Sequence, residues 1–348
     1  MKKGKTICVC GHFAFGENKL NGQTVKTKII TQGLIDAFGE DALTYVDSSG
    51  RFRGLLTLPY RVFKAARSCD HMVILLAYKG LRVVTPILAL LRLFFHFQVH
   101  YVIVGGWIAR FMDNKPFLRF SLRHAVDWMY PETSVLRDAL AERSFTNALV
   151  MPNFKALEIL PSPPAAHQEP YRLCTFSRVM KQKGMEDAMA AVSRANEAMG
   201  RTVYDLTIYG PVWHTETDWF DSLQQSFPSY VHYGGSVPFD QSVAVLKDYF
   251  ALLFPTRFFT EGVPGTLIDA YAAGLPVISS RWESFADVVD DGCTGYGYTF
   301  ESVDALTDLL MDIACHPQRI ESLRQNCLDK AKSFLPQSVM PILTDRLA

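Results

Sequence analysis

The segment Glu261–Asp269 carries the residue types best suited to chemistry in this sequence, two acidic residues that flank a glycine-rich loop. The loop is predicted to follow a strand and to open a helix, where unpaired backbone N–H groups and the helix dipole favour a diphosphate. Carboxylates are poor phosphate ligands, but they accept hydrogen bonds from the hydroxyl groups of a sugar or a ribose. We therefore predict a site for a sugar diphosphate, held by the side chains of Glu261 and Asp269 and by the backbone of Gly262, Val263, Gly265 and Thr266.

Short apolar runs alternate with helix-length segments along the chain, and this alternation predicts parallel sheets covered by helices on both faces. The predicted strands are Ile7–Cys10, Ala42–Val46, Met72–Leu76, His100–Val104, Asp127–Met129, Ala148–Met151, Arg172–Ser177, Asp205–Tyr209, Val231–Tyr233, Ala251–Phe254 and Pro276–Ser279. The predicted helices include Thr24–Phe38, Met185–Met199, Asp240–Tyr249 and Ser302–His316. The length of 348 residues suits two α/β domains. The break between them is expected within residues 152–170, where five prolines lie in a polar stretch.

The composition is that of a globular protein, with 49% apolar and 20% charged residues, and it excludes a disordered or fibrous chain. Seven scattered cysteines without a Cys-x-x-Cys spacing predict reduced thiols and argue against a disulfide framework or a zinc site. The first residues lead directly into Ile7–Cys10, an apolar run too short for a signal peptide. A cytoplasmic protein is therefore expected.

The zero net charge conceals an asymmetry between the two halves of the chain. Residues 1–155 contain 21 Lys and Arg against 11 Asp and Glu, whereas residues 156–348 contain 14 against 24. A basic first half suits an anionic surface such as phospholipid headgroups, or a phosphate-bearing acceptor. Attraction between the two halves is the alternative explanation. No nucleic-acid partner is expected.

The segment Val83–Val104 has the apolar content of a membrane span, but Arg92 and further polar residues interrupt it. We interpret it as a helix followed by a buried strand. In the preceding segment, Arg61, Lys64 and Arg67 fall on one helical face by their i, i+3 spacing. This face is either an interfacial membrane patch or an ordinary solvated helix surface, and the sequence leaves both readings open.

Several further segments surround the acidic loop in an order that is typical of one enzyme family. They are Phe176–Gly184, Leu206–Pro211, His232–Pro238, Leu253–Thr256 and the turn at Pro152 and Asn153. Glu261 and Asp269, separated by seven residues, are similar to the E-x7-E signature of the same family. Together these segments resemble the retaining GT-B glycosyltransferases of family 4, in particular the bacterial exopolysaccharide and O-antigen type.

The resemblance implies a GT-B fold, in which two Rossmann-like doubly wound domains face a cleft. Residues 1–155 would bind the acceptor, residues 156–330 would bind the donor, and residues 331–348 would return to the first domain as a C-terminal helix. The implied reaction is retaining transfer of a hexose-type sugar from a nucleoside diphosphate, with a UDP-sugar as the expected donor and no cofactor. No metal is expected, since no Asp-x-Asp motif lies between a strand and a loop.

The resemblance also implies roles for individual residues. Arg178 and Lys183 are expected to bind the donor phosphates and to act in catalysis with Glu261, because fixed cations stabilise a departing diphosphate. The resemblance adds three further donor-binding residues, Gly22, Gly210 and Val237. We assign Gly105, Gly106 and Trp107 to the acceptor side, because a tight glycine turn lets a substrate approach and an indole face can stack on a sugar. The alternative is that Trp107 is a core residue. Lys26 is expected to contact a phosphate or the acceptor.

The sequence departs from the family pattern at three places. Asp269 stands where a second glutamate is usual, so its side chain is one methylene shorter. Pro264 removes one backbone N–H from the loop. The glycines and tryptophan at positions 105–107 replace a histidine that many members carry after the fourth strand.

Two alternatives to a transferase are open at this point. A GT-B sugar-nucleotide epimerase would need no acceptor, and a non-catalytic nucleotide-sugar-binding protein of an assembly complex would show no turnover. The presence of Arg178, Lys183 and Glu261 favours the transferase. Its acceptor would be a lipid-linked or oligosaccharide substrate of bacterial surface polysaccharide synthesis, and the enzyme would lie peripherally on the inner face of the cell membrane.

Overall fold

The computed structural model of the chain describes residues 5–13, 22–48 and 52–348. The chain divides into two compact units. The first is formed by the chain up to Asn153 together with Pro336–Ala348, and the second by Phe154–Leu335. The division falls close to the predicted boundary after residue 155, and the segment that belongs again to the first unit begins at Pro336 rather than at residue 331.

The first unit alternates strands and helices from its first described residues. Its elements are β1 (Ile7–Gly11), α1 (Gly22–Phe38), a 3-10 helix (Glu40–Ala42), β2 (Leu43–Asp47), α2 (Phe52–Ala66), β3 (His71–Leu75), α3 (Tyr78–Leu91), β4 (Gln98–Val102), α4 (Ile108–Asp113), α5 (Pro116–Ala125), β5 (Trp128–Tyr130) and α6 (Ser134–Glu142).

The strands described in the first unit form one parallel sheet of order β2-β1-β3-β4-β5. Every residue of β1 and β3 is buried, as expected for central strands covered by helices on both faces. The order of the strands reverses between β1 and β3. In an open parallel sheet, such a switch point leaves a crevice at the carboxyl ends of the two strands.

The second unit repeats this architecture with a larger sheet. Its elements are β6 (Tyr171–Phe176), a 3-10 helix (Lys181–Lys183), α7 (Met185–Ala198), β7 (Tyr204–Tyr209), α8 (Thr217–Gln225), β8 (Val231–Gly235), a 3-10 helix (Phe239–Gln241), α9 (Ser242–Leu246), β9 (Ala251–Phe254), α10 (Gly265–Ala272), β10 (Val277–Ser280), α11 (Phe285–Val288), β11 (Gly295–Tyr298), α12 (Val303–Cys315), α13 (Gln318–Glu321), α14 (Arg324–Ala331) and a 3-10 helix (Lys332–Phe334). The helices α15 (Pro336–Val339) and α16 (Pro341–Thr344) complete the first unit.

The sheet of the second unit is also parallel, with the order β11-β10-β9-β6-β7-β8. Its switch point lies between β6 and β9, the first and fourth strands of the unit. The loops that follow these two strands therefore lie side by side at the crevice where doubly wound sheets bind ligands. The predicted α/β class with two parallel sheets is confirmed.

The predicted strands are present with ends shifted by one or two residues, apart from Ala148–Met151. The prediction of a strand there is wrong, because only an isolated bridge joins Ala148 to Met129. The N–H of Met151 still donates to the carbonyl oxygen of Pro131 at 2.8 Å. On the partner segment, Pro131 has no N–H to donate to the carbonyl oxygen of Leu149, so the parallel ladder is interrupted there.

Two further elements differ from the prediction. Strand β11 has no predicted counterpart, because two glycines give Gly295–Tyr298 little strand propensity. The segment Asp240–Tyr249, predicted as one helix, forms the end of a 3-10 helix and the short helix α9. Val83–Val104 contains the end of α3 and all of β4, as predicted. No helix in the described part of the chain is long and apolar enough to cross a membrane.

Gly184 allows the loop after β6 to touch the end of β9. Its φ is 72°, in the left-handed region, and a Cβ atom at this position would lie 1.9 Å from the carbonyl oxygen of Pro255. A side chain therefore does not fit between the two loops. Because Lys183 precedes this glycine directly, the contact also fixes where the Lys183 side chain begins.

Replacing Gly184 by alanine is expected to lower the free energy of unfolding of the second unit by about 3 kcal/mol or more, from backbone strain together with the clash. The matched control is Gly200→Ala, since Gly200 has a φ of 66° but nothing within 4 Å of the added Cβ. That control is expected to lose only about 1–2 kcal/mol. Urea unfolding followed by circular dichroism measures both, and equal losses would contradict the close approach.

Candidate functional site

An ion pair lies at the switch point of the second unit. The ammonium of Lys183, after β6, is 2.6 Å from the carboxylate of Glu261, after β9. The hydroxyl of Thr256 lies 3.3 Å from the same carboxylate oxygen. Both charged side chains keep somewhat less than a fifth of their surface exposed, 17% and 19%. They are thus held in place but open to a ligand in the crevice.

The loop after β9 is fastened to the elements that follow β6. The N–H of Arg257 donates to the carbonyl oxygen of Gln182 at 2.9 Å. The Arg257 guanidinium also forms two hydrogen bonds, of 2.8 and 2.5 Å, with the carboxylate of Asp187 on α7. Such a bidentate pair is geometrically specific. It fixes the position of the loop that carries Glu261.

Arg178 lies two residues after the end of β6. Its guanidinium carbon lies 4.5 Å from the centre of the Trp213 ring, within the range of a cation–π contact. Close by, Gly210 ends β7 with a φ of 133°, and a Cβ atom there would lie 1.9 Å from the carbonyl oxygen of Ser177. The backbones after β6 and β7 therefore approach each other closely. Trp213 was not singled out in the sequence, since a tryptophan after a strand has no distinctive spacing.

Helix α10 begins at Gly265 within the predicted loop, and no described side chain caps its N-terminus. Its first N–H groups have no partner inside the helix, because the residues that would accept from them precede it. The hydroxyl oxygen of Thr266 is buried and has no hydrogen-bond partner among the described residues. An uncapped helix start beside an unpaired hydroxyl suits an anionic ligand. Gly262 and Val263 are both buried.

Asp269 lies on α10 with only 3% of its surface exposed. One carboxylate oxygen lies 2.6 Å from the ammonium of Lys155, and the other, Oδ1, is buried without a hydrogen-bond partner among the described residues. Burial raises the pKa of Asp269, and the Lys155 ammonium and the Ser242 hydroxyl act against that rise. Lys155 was not predicted as a site residue. It follows the Pro152–Asn153 turn, which is the only signal for it in the sequence.

Val237 lies in the second unit after β8, next to the edge of the sheet, and is half-buried. Gly22 is the first residue of α1 in the first unit. Asn21, which precedes Gly22, lies outside the described residues.

Lys26 occupies the interior of the first unit, with 2% of its surface exposed. Its ammonium lies 3.4 Å from the carboxylate of Glu132 and 3.2 Å from the side-chain oxygen of Asn153. Burial lowers the pKa of Lys26, and Glu132 acts against this shift. The structure therefore places Lys26 in a buried polar network, and not on a surface open to an acceptor as predicted.

The Gly105–Trp107 turn is tied to the same network. The N–H of Gly105, whose φ is 76°, lies 3.4 Å from the second carboxylate oxygen of Glu132. The indole N–H of Trp107 donates to the carbonyl oxygen of Val104 at 2.8 Å. The Trp107 ring packs against Tyr78 at 4.0 Å between centroids and remains half-exposed, as are Gly105 and Gly106. Trp107 is thus both part of an aromatic cluster and partly open to solvent.

No group of three or more His, Cys, Asp or Glu side chains that could hold a metal ion occurs within residues 5–13, 22–48 and 52–348. The seven cysteines are all free.

Residues 170–316 match the family model described as Glycosyl transferases group 1. The matched segment begins at β6 and ends after α12, so it contains Lys183, Glu261 and the whole of α10. No curated protein matches the chain.

Solved structures share the architecture at low sequence identity. Anabaena HepE in complex with UDP and glucose has a TM-score of 0.73 and 13% identity over 99% of each chain. The lipopolysaccharide outer core galactosyltransferase WaaB in its apo form has a TM-score of 0.69 and 16% identity over 98% of each chain. Sucrose-phosphate synthase from Thermosynechococcus elongatus has a TM-score of 0.75 and 13% identity, over 99% of this chain and 98% of that one. The fold is GT-B. The GT-B fold and the group 1 domain together support a glycosyltransferase.

Replacing Lys155 by methionine is expected to destabilise the second unit by about 3–5 kcal/mol, because the carboxylate of Asp269 is left buried without its cation. The folded-state pKa of Asp269 is already above its unfolded value. Ionisation of this buried carboxyl therefore lowers the free energy of unfolding as the pH rises towards the folded-state pKa. The loss should therefore be larger at about pH 7 than at about pH 5.

The control for this prediction is the double variant Lys155→Met/Asp269→Asn, which removes the buried charge as well. It is expected to recover most of the lost stability at about pH 7. Urea unfolding at the two pH values measures all three proteins. A double variant as unstable as Lys155→Met would show that the unpaired charge of Asp269 is not the cause of the lost stability.

Proposed function

We propose that this chain transfers a hexose-type sugar, with retention of its anomeric configuration, from a UDP-sugar to a lipid-linked saccharide acceptor. The observation that carries the proposal is the Lys183–Glu261 ion pair at the switch point of the second unit. A cation, a carboxylate and an uncapped helix N-terminus meet there, and a sugar diphosphate needs each of them.

In this proposal the diphosphate lies at the start of α10, where the N–H groups of Gly265 and Thr266 and the unpaired Thr266 hydroxyl donate to it. Arg178 and Lys183 neutralise the negative charge that accumulates on the departing diphosphate, which stabilises the transition state more than the ground state. Glu261 accepts hydrogen bonds from sugar hydroxyls, and the unpaired oxygen of Asp269 accepts from the ribose.

The transfer breaks the bond between the anomeric carbon and the diphosphate oxygen and forms a bond from the same carbon to the acceptor oxygen. The acceptor hydroxyl loses its proton to the departing phosphate oxygen on the same face of the sugar. This route needs neither a metal nor a separate protein base. The half-exposed Gly105–Trp107 turn is proposed as the acceptor side, since an indole face can stack on a sugar.

Solved neighbours agree with a nucleotide-sugar donor. One structure of Anabaena HepE contains UDP-glucose, with a TM-score of 0.72 to this chain. WaaB is a galactosyltransferase of the lipopolysaccharide outer core. We propose by analogy that this chain also serves bacterial surface polysaccharide synthesis, at the inner face of the cell membrane. Its sugar and linkage are set by the donor and acceptor pockets.

The proposal is tested by incubating the protein with UDP-, GDP- and dTDP-sugars, with and without a lipid-linked oligosaccharide, and following the released nucleotide and the sugar product. A transferase releases nucleotide only when the acceptor is present, and the sugar appears on the acceptor. Release or epimerisation without acceptor would support the epimerase alternative. Binding of a sugar nucleotide without turnover under any condition would support a non-catalytic binding protein.

Replacing Lys183 by methionine is expected to lower kcat/KM for the donor by about 100-fold or more, because a cation that stabilises the leaving diphosphate is lost. Lys181→Met is the matched control, since Lys181 is an exposed lysine of the same 3-10 helix. It is expected to retain kcat/KM within about twofold. A Lys183→Met enzyme as active as the control would show that Lys183 does not stabilise the leaving diphosphate.

A further inference from the structure

The first unit exposes a concentration of large apolar side chains. Among the described residues, nine of the twelve exposed large apolar side chains lie between Tyr60 and Phe120. Leu93 and Phe94, just after α3, are 75% and 70% exposed. Apolar patches of this kind mark an interaction surface. We refer to α3, the segment 92–97 and α5 together as the α3–α5 face.

A groove of about 460 Å³ lies on the α3–α5 face, where α3 packs against α5. Its lining is mainly apolar and includes Pro86, Leu90, Leu93, Phe117, Phe120 and His124. A second groove, of about 260 Å³, shares Pro86 and Phe117 with the first and adds the cations Arg82 and Lys115. The face thus offers apolar depressions with cations at the edge.

The charge on the segment that forms the α3–α5 face is mainly positive. Residues 78–126 contain seven Lys and Arg but a single acidic residue, Asp113. Asp113 is bonded to Arg143 at 2.6 Å, so its charge is already compensated. Lys79, Arg82 and Arg123 are exposed. The exposed cations of the face therefore suit an anionic partner from outside the unit.

We propose that the α3–α5 face docks this chain onto the surface of an anionic phospholipid bilayer. The exposed aromatic and leucine side chains would enter the boundary between headgroups and acyl chains, and the cations would lie at the headgroups. A bilayer surface combines an apolar interior with negatively charged headgroups. The α3–α5 face combines exposed apolar side chains with cations, so it can contact both. A second copy docked about a two-fold axis would instead set the exposed cations against the same cations of its partner, which is unfavourable.

The bilayer contact thus lies on α3 and α5 rather than on the surface formed by Arg61 and Lys64 of α2 and Arg67 just after it. The guanidinium of Arg61 donates to the carbonyl oxygen of Asp47 at 3.1 Å, inside the unit. The guanidinium of Arg67 lies 5.8 Å from the ring centre of Phe63, which itself packs edge-on against Phe95. Arg61 and Arg67 thus have contacts within the unit, whereas the grooves lie between α3 and α5.

The docking proposal depends on the proposed function only for its biological purpose, because a lipid-linked acceptor would lie at a membrane surface. Binding to vesicles requires neither donor nor acceptor. A failure of the docking proposal therefore leaves the transferase assay unaffected, and the reverse also holds.

The experiment is co-sedimentation of the full chain with vesicles of phosphatidylcholine alone and of phosphatidylcholine and phosphatidylglycerol in equal parts. The chain is expected to partition onto the anionic vesicles and to remain in solution with the neutral ones. Lys79→Glu/Arg82→Glu should weaken the partition by about tenfold or more. The matched variant Lys64→Glu/Arg67→Glu makes the same charge change at the same spacing at the end of α2 and should weaken the partition by about threefold or less.

The apolar half of the proposal is tested with a second pair of double variants. Phe117→Ser/Phe120→Ser on α5 should weaken binding to the anionic vesicles by about tenfold or more, through the loss of buried apolar area. Tyr60→Ser/Phe63→Ser, with the same spacing on α2, should retain binding within about threefold. Thermal unfolding and UDP binding of each variant establish that it is folded.

Three results would overturn the assignment. The first is equal binding to neutral and anionic vesicles, or binding to neither. The second is a loss in the α2 variants as large as in the α3–α5 variants. The third is a dimer in light scattering that Phe117→Ser/Phe120→Ser converts to a monomer, since the face would then be a contact between copies of this chain.

Discussion

The Lys183–Glu261 ion pair is the contact on which the candidate site of this chain depends. The two residues are 78 positions apart in the sequence, and they meet because β6 and β9 are neighbours at the switch point of a parallel sheet. Gly184 brings the two loops into backbone contact, and the Arg257–Asp187 pair fixes the second loop. The ion pair is therefore a consequence of the sheet order, and a change in that order would separate its members.

Buried and partly buried carboxylates near the site are each compensated by a cation of the same unit. Glu261, Asp269 and Asp187 each face one cation, namely Lys183, Lys155 and Arg257. Such pairing avoids the large penalty for an isolated buried ion. The Thr266 hydroxyl and one oxygen of Asp269, in contrast, are buried without partners among the described residues. Unsatisfied polar groups are costly in a folded protein, and a ligand bound along the first two turns of α10 would satisfy them.

Much of the fold follows from the sequence, because alternating apolar runs and helical segments leave few arrangements other than two parallel sheets. The exceptions have local causes. Strand β11 is rich in glycine and is held by its neighbour β10 rather than by its own propensity. At Ala148–Met151 the apolar pattern of a strand is present, but Pro131 on the partner segment lacks the N–H that would continue the pairing.

The candidate site was less accessible to sequence reasoning. The acidic loop and the helix start are local features, so their spacing could indicate a diphosphate. The partners of the two acids are distant in the sequence: Lys183 came from the resemblance to a family, and Lys155, 114 positions from Asp269, was missed. Burial is also invisible in a single sequence, which is why Lys26 was expected at the acceptor and lies instead beside Glu132.

The central claim is that Glu261 binds the sugar of the donor while the helix start and the cations bind its diphosphate. Isothermal titration calorimetry of UDP and of the corresponding UDP-sugar, with the wild-type chain and with Glu261→Gln, tests it most directly. We expect the variant to bind the UDP-sugar about 10–100-fold more weakly, since it loses charge-assisted hydrogen bonds to sugar hydroxyls, while its affinity for UDP stays the same or rises. An equal loss for both ligands, or no loss for either, would contradict this claim.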